Sequence, residues 1–506
     1  MMPILNSIIS WFVTKRKYQI DFFKKYPLEV QDDTLKQLIR LARHTVFGRE
    51  HGFSAIGSQA EFARQVPVRD YAGIKPYIDL AMNGEPDILW PGEVKWFAKS
   101  SGTTGDRSKF IPITRDTLED CHYRGGKDSI TLWLANHPDS SIFLGKSLIV
   151  GGSLQVSDMN SEAFFGDLSA VLLQNLPAFA HWLRTPDLSI ALMDEWEIKL
   201  EKMARHTSCE NVTSLAGVPS WMLILLKKVL EETGKDNIAD VWPHLEVFMH
   251  GGVNFTPYRE QFKAIIRSDS MSYVETYNAS EGFFGIQDDP ETNDLLMMLD
   301  YGVYFEFIPV DEIGSGNGKA VTLRDVDTDT NYALVISTSA GLWRYLIGDT
   351  IRFTSLKPVK FRITGRTRHF INAFGEELII DNAEYALNKA CQGTGASITD
   401  YTAAPVYMSE RTAARHQWLI EFSQPPDNLD FFTELLDNAL KAVNSDYEAK
   451  HYKNIAIHAP EVIQLRKGAF YDWLKYKGKL GGQHKVPRLS NDRDIVAEVL
   501  EINGKP

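Results

Sequence analysis

Four short segments of this chain carry residue types and spacings that could act on a phosphate. The first runs Lys99-Ser100-Ser101-Gly102-Thr103-Thr104-Gly105-Asp106-Arg107-Ser108-Lys109. Its two glycines permit tight turns whose N–H groups can converge on an anion, and the hydroxyls add donors. Arg107 and Lys109 supply local positive charge. The segment is not a P-loop, because lysine and Ser/Thr do not follow its second glycine. The second segment is Glu275-Thr276-Tyr277-Asn278-Ala279-Ser280-Glu281-Gly282. Tyr277 could stack on a base, and the Glu281 carboxylate, four residues on, could hold Mg²⁺ beside a glycine that lets the backbone bend. In the third, Leu342-Trp343-Arg344-Tyr345-Leu346-Ile347-Gly348-Asp349, the aspartate reads as the end of a buried strand, placed to accept two ribose hydroxyls. The fourth, Gly478-Lys479-Leu480-Gly481-Gly482-Gln483-His484-Lys485, is a cationic glycine-rich loop suited to bring a lysine to a phosphate in one conformation only. Each has a plainer alternative when taken alone: a solvated loop, a strand end with its turn, a capping aspartate, a basic surface loop.

The elements that must position these segments change character along the chain. Residues 1–95 read as mainly helical, with Leu35, Leu38, Ile39 and Leu41 at helical spacing and 47–53 as a loop. From about Lys95, short apolar runs alternate with helices. Ser147–Val150 leads into Gly151-Gly152, Leu245–Met249 leads into His250-Gly251-Gly252, and a helix opened by Pro219 is expected over Ser220–Glu232. Strand, glycine and helix in repetition indicate an α/β fold whose ligands sit at the carboxyl ends of strands. After Tyr277 the pattern turns antiparallel, with Val303, Phe305 and Phe307 alternating against Tyr304 and Glu306. Beyond Gly365-Arg366 a smaller α+β unit is expected, with a strand at Trp418–Phe422 and a helix at Leu429–Val443. The domain boundary is placed near residues 365–370.

A chain of 506 residues is too long for one hydrophobic core. Its formal charge of −12 argues against a nonspecific nucleic-acid binder and disfavours docking on anionic lipid. Three cysteines without a C-x-x-C indicate neither a zinc site nor a disulfide frame. Motifs of the H-E-x-x-H, G-x-S-x-G and G-x-G-x-x-G types are missing. Met1 to Phe22 holds a short apolar run followed by Lys15-Arg16-Lys17, the reverse of a signal peptide. It reads as an amphipathic helix packed on the body, with a peripheral membrane contact as the alternative. No stretch approaches the ~20 apolar residues of a bilayer span, so no integral membrane contact and a cytoplasmic location are expected.

Taken together and in order, S-S-G-T-T-G-D-R-S-K, G-V-P-S-W at 217–221, H-G-G-V-N-F-T-P-Y at 250–258, E-T-Y-N-A-S-E-G-F-F-G, R-Y-L-I-G-D at 344–349 and G-Q-H-K-V-P-R at 482–488 resemble the adenylate-forming enzymes. The closer similarity is to the auxin-responsive acyl-acid amido synthetases of plants and their bacterial relatives, over about residues 45–490. The resemblance implies an α/β fold: a large N-terminal domain, 1–367, with helix-flanked β-sheets and a β-barrel-like part, and a small mobile α+β C-terminal lid, 368–506. It implies ATP and Mg²⁺ as cofactors, with a small carboxylic acid and an amino acid as partners and no nucleic acid. Ser100, Ser101, Gly102, Thr103 and Thr104 would hold the ATP phosphates. Tyr277 and Ser280 would lie at the nucleotide, Asp349 and Arg366 at the ribose, and Glu281 at Mg²⁺. Lys485 would reach the α-phosphate, and Val218, Trp221 and Met222 would wall the acyl pocket. Two departures stand out. Lys109 follows Gly105 by four residues where the superfamily usually has three, as it can in the amido-synthetase branch, and Arg368 stands where the common hinge pattern has Asp or a Lys-like residue. The implied activity is adenylation of the acid followed by transfer to an amine. A thioester-forming ligase and a non-catalytic acyl or nucleotide binder are the alternatives.

Overall fold

A computed structural model describes residues 15–101, 108–152, 154–156, 163–193, 195–253, 255–313, 319–367, 370–408, 414–451, 457–477 and 486–504. The chain divides into two compact units. The first comprises 1–99, 110–252 and 262–367; the second comprises 100–109, 253–261 and 368–506. Among the described residues, no helix is long and apolar enough to cross a membrane.

The first unit is organised by an eleven-stranded mixed sheet. Arg184–Thr185, Lys146–Ile149, Val212–Gly217, Val247–His250 and Ser272–Ala279 lie side by side, all parallel. These strands are short and, at Val212–Leu215, continuously buried, as strands covered on both faces must be. Ser272–Ala279 then pairs antiparallel with Gly282–Ile286, and the rest of the sheet continues antiparallel through Leu295–Met297, Val359–Arg366, Tyr345–Leu356, Asn331–Thr338 and Val303–Pro309. The antiparallel strands therefore extend the same sheet. The reversal of direction falls on the strand that carries Tyr277.

Local chemistry explains the flanking helices. The helix Pro219–Thr233 starts with proline at its first position and stops at Gly234, whose φ of +66° few other residues adopt at low cost. The helix Pro27–Ala42 buries Leu35, Leu38 and Ile39, but Leu41 falls on the solvent side, 42% exposed. The expected loop at 47–53 contains a short helix, Val46–Glu50, because Thr45 caps it: the Gly48 N–H donates to Thr45 Oγ1 at 3.0 Å. Phe47, Phe53, Phe62 and Trp90 surround Trp343, which is fully buried. Arg344, next to it, is also buried. It forms a bidentate pair with Glu306 at 2.8 and 2.9 Å and donates to the carbonyls of Ala63 and Val66. The arginine of the R-Y-L-I-G-D segment thus has a structural role.

The second unit has a three-stranded sheet, Ser397–Val406, Arg415–Gln424 and Glu461–Leu465. The helix Leu429–Val443, capped by Asn428, buries Phe432, Leu436 and Leu440. A second apolar cluster gathers Leu419, Leu465, Phe470, Trp473, Val496 and Val499. The loop that follows residue 371 is tied internally. Glu376 is fully buried, accepts from the N–H groups of Ala373 and Phe374 at 3.2 and 2.7 Å, and lies 2.8 Å from His416 Nε2.

Candidate active site

The reversal of strand direction brings three of the singled-out residues together. Asp349 and Arg366 are direct partners across the antiparallel pair Tyr345–Leu356 and Val359–Arg366. Arg366 Nε donates to Asp349 Oδ1 at 2.7 Å. Tyr277 reaches the same carboxylate from the neighbouring part of the sheet and donates its hydroxyl to Asp349 Oδ2. All three side chains are largely or fully buried, so a guanidinium, a carboxylate and a phenol share a site with little water. Burial first, then the charge and hydrogen bond of Asp349, push the Tyr277 phenol well above its usual range. It therefore stays a donor at any physiological pH.

Two placements differ from the sequence expectation. Asp349 lies within a strand, not at its end, and the strand bends at Gly348, where φ is +98°. A glycine is required there because this left-handed backbone strains other residues. The Tyr277 ring, expected to be free to stack on a base, packs edge-on against Phe284 with centroids 5.0 Å apart, and its hydroxyl does the polar work.

Glu281 sits in the turn between Ser272–Ala279 and Gly282–Ile286, and only 7% of it is exposed. Ser280 beside it is half-buried. Glu281 lies close enough to Tyr345 for its charge, after burial, to keep that phenol protonated. The Tyr345 hydroxyl is fully buried and has no hydrogen-bond partner among the described residues. No group of three or more His, Cys, Asp or Glu residues that could hold a metal by themselves occurs among the described residues. A single carboxylate still fits Mg²⁺, which commonly takes one or two from protein and the rest of its oxygens from phosphate and water.

The carboxyl ends of the parallel strands form the adjoining rim. A side chain at Gly251 would meet the Thr276 carbonyl at 2.3 Å, so only glycine lets these neighbouring strand ends approach. At Gly252 a Cβ would lie 3.4 Å from Val218. Val218 and Trp221 keep partial exposure, whereas Met222 is fully buried with its Cε 3.8 Å from the Cβ position of Gly217. Ser100 and Ser101 end the strand Trp96–Ser101, with Ser100 half-buried. Gly102, Thr103, Thr104 and Lys485 lie outside the described residues. Lys109 is buried on the strand Ser108–Ile113.

His122 also faces this motif, and sequence pattern did not single it out among thirteen scattered histidines. It ends a π-helical turn, Thr117–His122, an irregularity frequent at functional sites. Its Nδ1 is 3.0 Å from Asn278 Oδ1, while Nε2 is buried without a partner among the described residues. Burial pulls its pKa down to about 4, against which the Asn278 bond acts more weakly. The unfolded chain therefore takes up a proton near pH 6.5 that the folded chain refuses until about pH 4. Stability contributed by neutral His122 is complete above pH 6.5 and is lost as pH falls towards 4, by ~3 kcal/mol over that window. Urea unfolding of the native chain and of His122→Gln between pH 7.5 and 4.5 should show the shallower pH slope in the variant. Equal slopes would mean that His122 does not resist protonation.

The sheet reversal and the polar cluster on it define a mixed α/β fold with a candidate ligand site where the strands change direction. Three models of one family match the chain: the GH3 family N-terminal domain over residues 16–271, the central domain over 296–366 and the C-terminal domain over 381–494. The chain belongs to the GH3 family. It is 22% identical to the probable indole-3-acetic acid-amido synthetase GH3.1 of Arabidopsis thaliana, with 93% of this chain and 90% of the relative covered. It is 23% identical to the 4-substituted benzoates-glutamate ligase GH3.12 of the same organism, with 91% and 92% covered. The solved structure of the GH3.15 acyl acid amido synthetase in complex with 2,4-DB shares the fold, with a TM-score of 0.60, 19% identity, and 94% of this chain and 93% of that one covered.

Proposed function

We propose that this GH3-family chain is an acid–amino acid ligase that adenylates a small carboxylic acid with ATP and transfers the acyl group to an amine. The observation that carries the reading is the Tyr277–Asp349–Arg366 cluster, a carboxylate with two fixed donors at the point where the sheet reverses direction. Ligands of open α/β sheets bind at such points, beyond the carboxyl ends of the strands. Asp349 accepts the ribose hydroxyls, with Arg366 beside it and Tyr277 orienting it from the adenine end. Ser100–Thr104 hold the phosphates, and Ser280 lies at the nucleotide. Val218, Trp221 and Met222 wall the acyl pocket at the ends of Val212–Gly217 and Val247–His250.

The chemistry follows from charge. A carboxylate oxygen of the acid attacks the α-phosphate in line, and the bond to pyrophosphate breaks. Two anions must approach, so the protein's task is electrostatic. Glu281 would hold Mg²⁺, which neutralises phosphate charge when bound. Lys485 supplies a second positive charge at the α-phosphate. In the second step an amine attacks the acyl carbon of the mixed anhydride, AMP leaves and the amine proton passes to solvent. The leaving group is already good, so no covalent enzyme nucleophile is needed, in keeping with a sequence that has no G-x-S-x-G. Residues 1–367 act as the ATP- and acyl-binding domain, and 368–506 as the lid that carries Lys485.

The test is ATP–pyrophosphate exchange over aryl, indolyl and aliphatic acids, followed by mass analysis with mixed amino acids. Exchange with at least one acid and an amide product are expected. Thiol-dependent AMP release without an amide would indicate a thioester-forming ligase. ATP binding without exchange across the whole panel would indicate a non-catalytic binder.

A further inference from the structure

The first described helix is covered on one side only. Residues 15–25 are helical, and Ile20 and Phe23 are 1% exposed against the body. Arg16 fixes the same side. Its guanidinium pairs with Asp128 at 2.7 Å and Asp300 at 2.6 Å, and Tyr301 donates to Asp128 at 2.6 Å. Lys24 adds a pair with Asp288 at 2.7 Å. At about 100° per residue, Arg16, Ile20 and Phe23 share one face. Tyr18 and Phe22 fall on the opposite face, within an arc that also takes in Lys15 and Lys25, and Tyr26, just past the end of the helix, lays its ring beside Phe22.

That outer face is aromatic and basic. Tyr18 is 72%, Phe22 55% and Tyr26 37% exposed. The Phe22 and Tyr26 rings lie 5.1 Å apart, and Lys25 Nζ sits 5.1 Å from the centre of the Tyr26 ring. One exposed aromatic needs no explanation, but three in line with lysines between them do. Aromatic rings at headgroup depth with lysines against phosphate is the composition of a helix that lies on a membrane.

The charge distribution supports the same partner. Arg16 and Lys24 are paired with acids of the body, so the charges left on the outer side of residues 15–26 are Lys15, Lys17 and Lys25 against Asp21, a local net of +2 in a chain of −12. At physiological ionic strength charges more than about 8 Å away are largely screened, so of the acidic body it is mainly Asp128, Asp288 and Asp300, already paired with Arg16 and Lys24, that bear on this helix. A second copy meeting this stripe about a two-fold axis would set Lys15 and Lys25 against their own counterparts or against each other, like charge against like in either case. We infer that this face docks lengthwise and reversibly on an anionic lipid bilayer and holds the enzyme at the membrane surface.

Co-sedimentation of the full chain with phosphatidylcholine vesicles, with and without about 30% phosphatidylserine, tests this. Binding to the anionic vesicles alone, weakened by salt, is expected. Tyr18→Ser/Phe22→Ser should lower partitioning about tenfold or more, and Lys25→Glu about fivefold, with thermal midpoints unchanged. No sedimentation of the native chain with anionic vesicles would overturn the proposal, as would equal partitioning of native chain and variants. So would a native dimer, seen by sedimentation equilibrium, that Tyr18→Ser/Phe22→Ser dissociates, because the face would then be covered by a second copy.

Discussion

Alanine at Lys485 is expected to slow ATP–pyrophosphate exchange by about 10²–10³-fold, the usual loss when one donor to a transition state is removed. A cation about 4 Å from the reacting phosphate, at an effective dielectric near 20, is worth roughly 4 kcal/mol before desolvation. The effect should be specific to the first step. Synthetic acyl-adenylate given to the variant should still react with the amine at close to the native rate, because no negative charge then approaches the α-phosphate. Exchange that survives the substitution intact would remove Lys485 from the mechanism. Loss of both steps alike would point to a general role of its loop.

The second large effect is expected at Asp349. Alanine there removes the acceptor of the Tyr277 hydroxyl and of the Arg366 Nε–H together. Hydrogen bonds to charged groups are worth about 1.5–3 kcal/mol each, and a buried donor left without an acceptor costs its desolvation besides. A rise in KM for ATP of about 10²-fold is expected, with a smaller loss of kcat. Asp349→Asn keeps an acceptor for Tyr277 while losing the charge, so it should fall between alanine and the native chain. If Asp349→Ala lowered the thermal midpoint and left KM for ATP unchanged, the cluster would be structural only.

Much of the architecture is legible in the order of residues because it depends on near neighbours. Proline and glycine bracket the helix Pro219–Thr233, and the alternation at Val303–Phe307 and the periodicity at Leu429–Val443 recur as a strand and a helix over those residues. Local pattern misleads where a long-range contact outweighs it. Leu41 fits the helical spacing yet faces solvent, since the body meets that helix through Leu35, Leu38 and Ile39. The segment at 47–53 holds a helical turn, capped by Thr45, whose Phe47 packs into the aromatic cluster around Trp343, nearly three hundred residues on.

The candidate site divides in the same way. Glycine-bounded motifs in a set order identify Tyr277, Glu281, Asp349 and Arg366 as residues of interest, since glycine, hydroxyl and charge are visible one segment at a time. Which of them meet is decided by the sheet. The register that sets Asp349 opposite Arg366, and the reversal that brings Tyr277 to the same carboxylate, arise from strand pairing between residues 72 and 17 positions apart. His122 and Tyr345 join the surroundings of the site through burial and through contacts made across the fold, His122 with Asn278 and Tyr345 with the charge of Glu281. Arg344 shows the converse. Its motif points to nucleotide chemistry, but folding places Glu306 and two carbonyls around it, and its four side-chain hydrogen bonds tie the sheet to the helix Gln59–Gln65 and its end. Residue types and spacing thus determined the chemistry available to this protein. Only the tertiary structure decided which groups share one low-water site, because desolvation and strand register act between segments far apart in sequence.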